Sequence, residues 1–125
     1  MADSVERLYD GVIAAKHGDP TRSRTARLLR SGRAKMAKKL AEEAVEVVID
    51  AMNGSRDAVI KESADLIYNL VVLWVSSGVQ PKDVWKEMER RERLFGIAEK
   101  LKAATDADPR RKVVTLESRR LRKRR

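Results

Sequence analysis

The sequence predicts an all-α chain: a small bundle of four to five helices around a central antiparallel helix hairpin. Three observations predict it. Each long segment carries apolar residues at helical spacing. Clusters of Gly, Pro and Asn punctuate those segments. No two stretches alternate as a pair of strands would. At 125 residues one principal core is expected, here as an all-α domain over 1–104 with a basic extension over 105–125.

The elements follow in chain order. Asp3 and Glu6 have the spacing of a capping box, and Val5, Leu8, Tyr9, Val12 and Ile13 follow on one helical face. Lys16-His17-Gly18-Asp19-Pro20 ends that helix. Thr21 to Gly32 is polar and basic around Leu28-Leu29, and reads as a loop or short helix. A long helix starts near Arg33 or Lys35 and runs to Ala51 or Met52, where Asn53-Gly54 stops it. The next runs from about Arg56 to Ser76 and ends at Gly78. Pro81 suits the first position of a further helix through Val84, Trp85, Met88 and Leu94, with Gly96 expected to break or end it. Beyond Thr105 the chain is charged, with a short β-like patch at Val113 to Leu116.

Composition excludes several chemistries. Without cysteine there is no disulfide scaffold, thiol catalysis or Cys-based zinc site. One histidine, His17, cannot make a cluster of His ligands and reads as a solvated loop residue. The N-terminus has no basic region ahead of an apolar run, and Leu66 to Val75 is too short to span a bilayer. A soluble cytoplasmic protein is therefore expected. The net charge of +9 is unevenly placed. Residues 22–39 hold eight basic residues and no acid, and residues 109–125 hold nine basic residues and one acid, Glu117. The remainder is acidic.

The informative residues are acids on the two central helices. Met36, Leu40, Ala44, Val47 and Ala51 form an apolar band, with Glu43 and Glu46 beside it, three residues apart. Ala64 to Val75 is apolar nearly all round, so that helix is expected to be buried on most sides. Asp65 and Asn69 interrupt it at i,i+4, and Glu62 continues their stripe. Taken alone, Glu43 and Glu46 also fit a solvated helix face, and Glu62 fits a residue near a helix start. A carboxylate among apolar neighbours is costly unless paired or bound to a cation. A hairpin turning at Asn53 to Asp57 brings Glu43, Glu46, Glu62 and Asp65 to comparable heights, at about 1.5 Å rise per residue. Four converging carboxylates suit a hard divalent cation such as Mg²⁺ or Mn²⁺.

Glu42-Glu43-Ala44-Val45-Glu46, followed by Glu62-Ser63-Ala64-Asp65, resembles the EExxE…ExxD signature of the MazG-like all-α nucleoside triphosphate pyrophosphohydrolases. Ser23 to Leu29 with Gly32, Lys35 to Ala41, Ala64 to Leu70 and Gly96 to Lys100 extend the similarity. Together they make the chain most similar to the phosphoribosyl-ATP pyrophosphatases of histidine biosynthesis, over about residues 4–102. The resemblance implies a bundle completed by homodimerisation. It also implies Mg²⁺-dependent cleavage of the α–β phosphoanhydride, giving phosphoribosyl-AMP and pyrophosphate. By position, Glu43, Glu46, Glu62 and Asp65 would hold the metal. Glu42 would act beside them or orient water. Asn69 stands where these enzymes commonly have His.

The basic segment gains a purpose from this resemblance, because a polyanionic substrate would otherwise be repelled by the acids. Lys35 and Lys39 flank the acids on one helix, and Arg27 and Arg30 are the expected loop contacts. Ser23 and Thr25 are candidate hydrogen-bond donors to phosphate, and Asn69 completes the substrate-binding set. Tyr68 reads as a core residue with a paired hydroxyl, and Trp74 and Trp85 as packing or dimer-interface residues.

Three other readings compete. One is a house-cleaning pyrophosphohydrolase acting on other nucleotides. Another is a nucleic-acid-binding module using the tail Arg119 to Arg125, against which stand only five aromatics and no known motif. The third is a noncatalytic helical interaction protein whose acids are structural.

Overall fold

The computed structural model describes the backbone of residues 2–105 and the side chains of residues 4–96. Five helices follow in order: α1 (Ala2–Ala15), α2 (Arg24–Arg30), α3 (Arg33–Met52), α4 (Arg56–Ser77) and α5 (Pro81–Thr105). No strand occurs among the described residues. The segment after the first helix is thus a short helix, and the all-α expectation holds. The β-like patch at 113–116 and residues 106–125 of the extension lie outside the described residues.

Local chemistry sets the helix ends. Ser23 caps α2, its Oγ accepting from the Ala26 N–H at 3.1 Å. Ser55 caps α4 in the same way through the Ala58 N–H. Gly78 ends α4 in the left-handed region (φ 73°), so that Val79 N–H reaches back to the Trp74 carbonyl at 2.9 Å. Pro81 opens α5, and the Asp83 carboxylate accepts from the Gln80 N–H just ahead of it. Gly96, expected to end this helix, does not. An interior glycine costs only about 1 kcal/mol relative to alanine, and helix formers flank it on both sides as far as Thr105.

The chain divides into two compact units, 1–86 and 87–125. In the first, α3 and α4 form the central hairpin. Two levels show that they run antiparallel: Glu43 faces Glu62, and Arg33 Nη2 donates to the Ser76 carbonyl at 3.2 Å. α1 packs on α4, and α2 bridges α1, α3 and α4. The core gathers Val12, Met36, Val71, Val72 and Val75, with Leu8, Tyr9, Leu28 and Trp74 packed around it. Trp74 meets Trp85 edge to face, their ring centroids 6.2 Å apart. In the second unit Glu87 takes Arg90 at 2.7 Å and Arg91 at 2.9 Å. Hydrogen bonds from those two guanidinium groups pull its carboxyl down to about 2.

The core lies at one end of the hairpin only. Val71, Val72 and Val75 on α4 are buried under α1 and Met36. Toward the turn, Val45, Val48, Ile49 and Met52 on α3 and Ile60 and Ile67 on α4 are exposed, Met52 by 82%. The expectation that α4 is buried on most sides therefore fails for its first half. α1 and α2 are too short, and placed too far from the turn, to cover both ends.

Candidate active site

The site grows from the register of the hairpin. Glu43 on α3 sits level with Glu62 on α4, and Asp65 follows one turn further along α4. One carboxylate oxygen from each of the three lies within 4.8 Å of the others. A hydrogen bond with the Glu43 carboxyl holds the Glu62 carboxyl above the usual carboxylate range. Partial burial and the negative charges of Glu43, Asp65 and Asp50 push it the same way. Lys39, one turn before Glu43, places its Nζ 3.7 Å from the Glu43 carboxylate.

Glu46, expected as a fourth member, stands outside this group and is exposed. The antiparallel register explains why. Moving from Glu43 to Glu46 goes toward the turn, whereas moving from Glu62 to Asp65 goes away from it. Glu46 and Asp65 thus lie on opposite sides of the Glu43–Glu62 level, about 9 Å apart along the axis. Asp50, further along the same stripe of α3, acts on Glu62 instead. Asp65, expected among apolar neighbours, is exposed, because the half of α4 that carries it is uncovered.

Asn69 is the buried polar residue of the stripe, 2% exposed. Its Nδ2 donates to the Asp65 carbonyl at 2.8 Å, while its buried Oδ1 has no protein partner. Glu42 is exposed and faces the basic side.

The basic segment forms two adjoining clefts. One of about 270 Å³ is lined by Arg24, Arg27, Leu28, Ser31, Lys35 and Lys39. The other, of about 470 Å³, shares Leu28, Lys35 and Lys39 and adds Ala34, Lys38 and Glu42. Lys35, Lys39 and Arg27, the expected substrate contacts, therefore line these clefts. Arg27 also donates to the Pro20 carbonyl at 3.0 Å. Arg30 lines neither cleft, and its charge instead helps hold the Asp19 carboxyl low, after the hydrogen bonds from Thr21. Ser23 is engaged as the α2 cap. Thr25 Oγ1 lies 2.6 Å from the Tyr68 hydroxyl, which supplies the partner expected for Tyr68.

Arg24 escaped the sequence reading. Its guanidinium carbon lies 5.9 Å from the centre of the Tyr68 ring. The i,i+3 spacing of Arg24 and Arg27 was the available signal, but the Tyr68 contact links residues remote in sequence. Ser31 and Lys38 were likewise not singled out.

Comparison with known proteins places the chain among named relatives. A family profile described as Phosphoribosyl-ATP pyrophosphohydrolase matches residues 5–92. A protein of Rhodopseudomonas palustris named Phosphoribosyl-ATP pyrophosphatase 2 is 62% identical over 131 residues, covering 100% of both chains. Its namesake in Bradyrhizobium diazoefficiens is 61% identical and covers 99% of both. The Phosphoribosyl-ATP pyrophosphatase of Gluconobacter oxydans is 53% identical over 96 residues, 77% of this chain and 72% of its own. The match spans α1 to α4 and the start of α5, and so takes in the carboxylates and the basic clefts together: this chain belongs to the phosphoribosyl-ATP pyrophosphohydrolase family.

Proposed function

We propose that Glu43, Glu62 and Asp65 hold a divalent cation, Mg²⁺ or alternatively Mn²⁺, for the hydrolysis that defines the family. That reaction cleaves the α–β phosphoanhydride of phosphoribosyl-ATP, giving phosphoribosyl-AMP and pyrophosphate, a step of histidine biosynthesis. One observation carries the reading: three carboxylates from two helices converge within 4.8 Å, beside a wall of cations. The donor set fits the group. All three would donate hard oxygens, the kind Mg²⁺ and Mn²⁺ take. The crowding that raises the Glu62 carboxyl is the repulsion a bound cation would relieve. When bound, the ion supplies charge neutralisation at the triphosphate and Lewis acidity at the attacked phosphorus.

The chain's own residues do the rest. Lys39 offers one ammonium to both regions, fixing Glu43 and facing the anion that enters the cleft. Lys35 and Arg27 add charge that draws the polyanion in against the local repulsion of the acids. Asn69 holds the Asp65 carbonyl and so steadies the turn from which Asp65 projects. Glu42, on the rim of the larger cleft, is placed to order water beside the phosphates. Glu46 serves as a further ligand only if its side chain swings toward the Glu43 level.

A homodimer completes the bundle in this reading. The uncovered face of Val45, Val48, Ile49, Met52, Ile60 and Ile67 adjoins the carboxylates and is too apolar to stay in water without cost. A second copy of the same hairpin is the occupant that family membership favours.

The decisive experiment measures pyrophosphate release from phosphoribosyl-ATP with Mg²⁺, with chelator, and from ordinary nucleoside triphosphates. Mg²⁺-dependent release that strongly prefers phosphoribosyl-ATP is expected. Release that persists in chelator would remove the metal. Equal rates on all nucleotides would remove the substrate assignment.

A further inference from the structure

The two basic clefts share Leu28, Lys35 and Lys39, so they form one continuous groove. Lys39, in the stretch the two clefts share, is already engaged by Glu43 and adjoins the carboxylates. Arg24 and Arg27, on α2, line only the smaller cleft. Among the described residues, no carboxylate pairs with Arg24, Arg27, Lys35 or Lys38. The groove thus holds more positive charge than its one ion pair with the carboxylates engages.

Arg24 is the best prepared of these cations. Its guanidinium rests over the Tyr68 ring, and the Tyr68 hydroxyl is tied to Thr25, the residue after Arg24. Tyr68 stands one turn after Asp65 on α4. The aromatic ring therefore fixes Arg24 relative to the helix that carries two of the three clustered acids. A planar guanidinium held this way loses little freedom when it grips a phosphate with two parallel hydrogen bonds. Arg27, by contrast, already spends a donor on the Pro20 carbonyl.

The substrate of the reaction carries two kinds of phosphate. One is the triphosphate of its ATP moiety; the other is a monoester on the separate phosphoribosyl sugar. ATP has only the first. We infer that the α2 end of the groove is a phosphomonoester site anchored by Arg24, which reads the phosphoribosyl phosphate while the triphosphate lies beside Lys39 and the carboxylates. The inference rests on the carboxylates being the cleavage centre, and it assigns Arg24 the discrimination between phosphoribosyl-ATP and ATP.

The test compares wild type with Arg24→Gln and Arg24→Lys. Arg24 is exposed, so folding should survive, and helicity by circular dichroism checks this. Losing a charge-assisted contact to phosphate should raise KM for phosphoribosyl-ATP about 10- to 100-fold, with kcat little changed. The preference for phosphoribosyl-ATP over ATP should fall by the same factor. Arg24→Lys should recover part of the loss, because it keeps the charge but not the fork. Calorimetric titration with ribose 5-phosphate and with pyrophosphate needs no turnover. The wild type should bind both, and Arg24→Gln should weaken ribose 5-phosphate selectively. Equal weakening of both ligands, or of neither, overturns the division of the groove, as does a fall in kcat at constant KM. Absence of phosphoribosyl-ATP cleavage by the wild type would instead strike the functional reading, leaving the ribose 5-phosphate titration to decide the site.

Discussion

The two halves of α4 make an instructive comparison. Both carry apolar residues, and both belong to one uninterrupted helix. The second half carries Val71, Val72 and Val75 into the core under α1. The first half carries Glu62 and Asp65, and leaves Ile60 and Ile67 in the open. Apolar pattern alone does not say which half is covered; the length and position of the neighbouring helices do. The covered half maintains the fold, and the uncovered half is the one that the proposed cation site and dimer contact would use.

Substitutions that exchange these roles should expose the contrast. The largest effect is expected from Asp65→Asn, which keeps shape and removes charge. Turnover at saturating Mg²⁺ should fall by more than about 100-fold, because even partners behind the direct ligands are worth 10- to 100-fold. Wild-type turnover in that variant would remove Asp65 from the metal set. Val72→Ala, in the covered half, should leave the chemistry alone and cost about 2 kcal/mol of stability through lost burial and a cavity. Denaturant titration measures this, and a cost near zero would mean the core end relaxes freely. Ile67→Asp, in the uncovered half, should change the stability of the isolated chain least, by about 0.5 kcal/mol or less. Its effect should appear in sedimentation, where wild type associates and the variant stays monomeric. Undiminished association would move the dimer contact to another face.

Legibility in the sequence followed the range of the interactions. The helix ends at Asn53-Gly54 and Gly78 and the start at Pro81 were readable because their causes are local, whereas the Ser23 and Ser55 caps, equally local, were not read. The hairpin was readable from Asn53-Gly54 and the two periodic segments around it. The meeting of Glu43 with Glu62 and Asp65 followed from spacing and a short turn. Glu46 stands outside the three-acid group because comparable height was not enough; register decides which side of a level each residue takes. Gly96 misled because a breaker was weighed without its neighbours, which are strong enough helix formers to carry the helix past it. Arg24 and its ring contact with Tyr68 join residues 44 positions apart, and no local pattern announces such a pair.

The turn between α3 and α4 has one more consequence, for the order of assembly. Asn53, Gly54 and Ser55 make it very short, and Gly54 takes a left-handed φ of 72° that most residues adopt only with strain. Closing so short a loop costs little chain entropy, and contacts between sequence neighbours form early. The acids therefore meet as soon as the hairpin zips, ahead of the remote Val12 contact with α4 that completes the core. Zipping then runs against like-charge repulsion from its first moments, and dissolved salt, by screening that repulsion, eases the step.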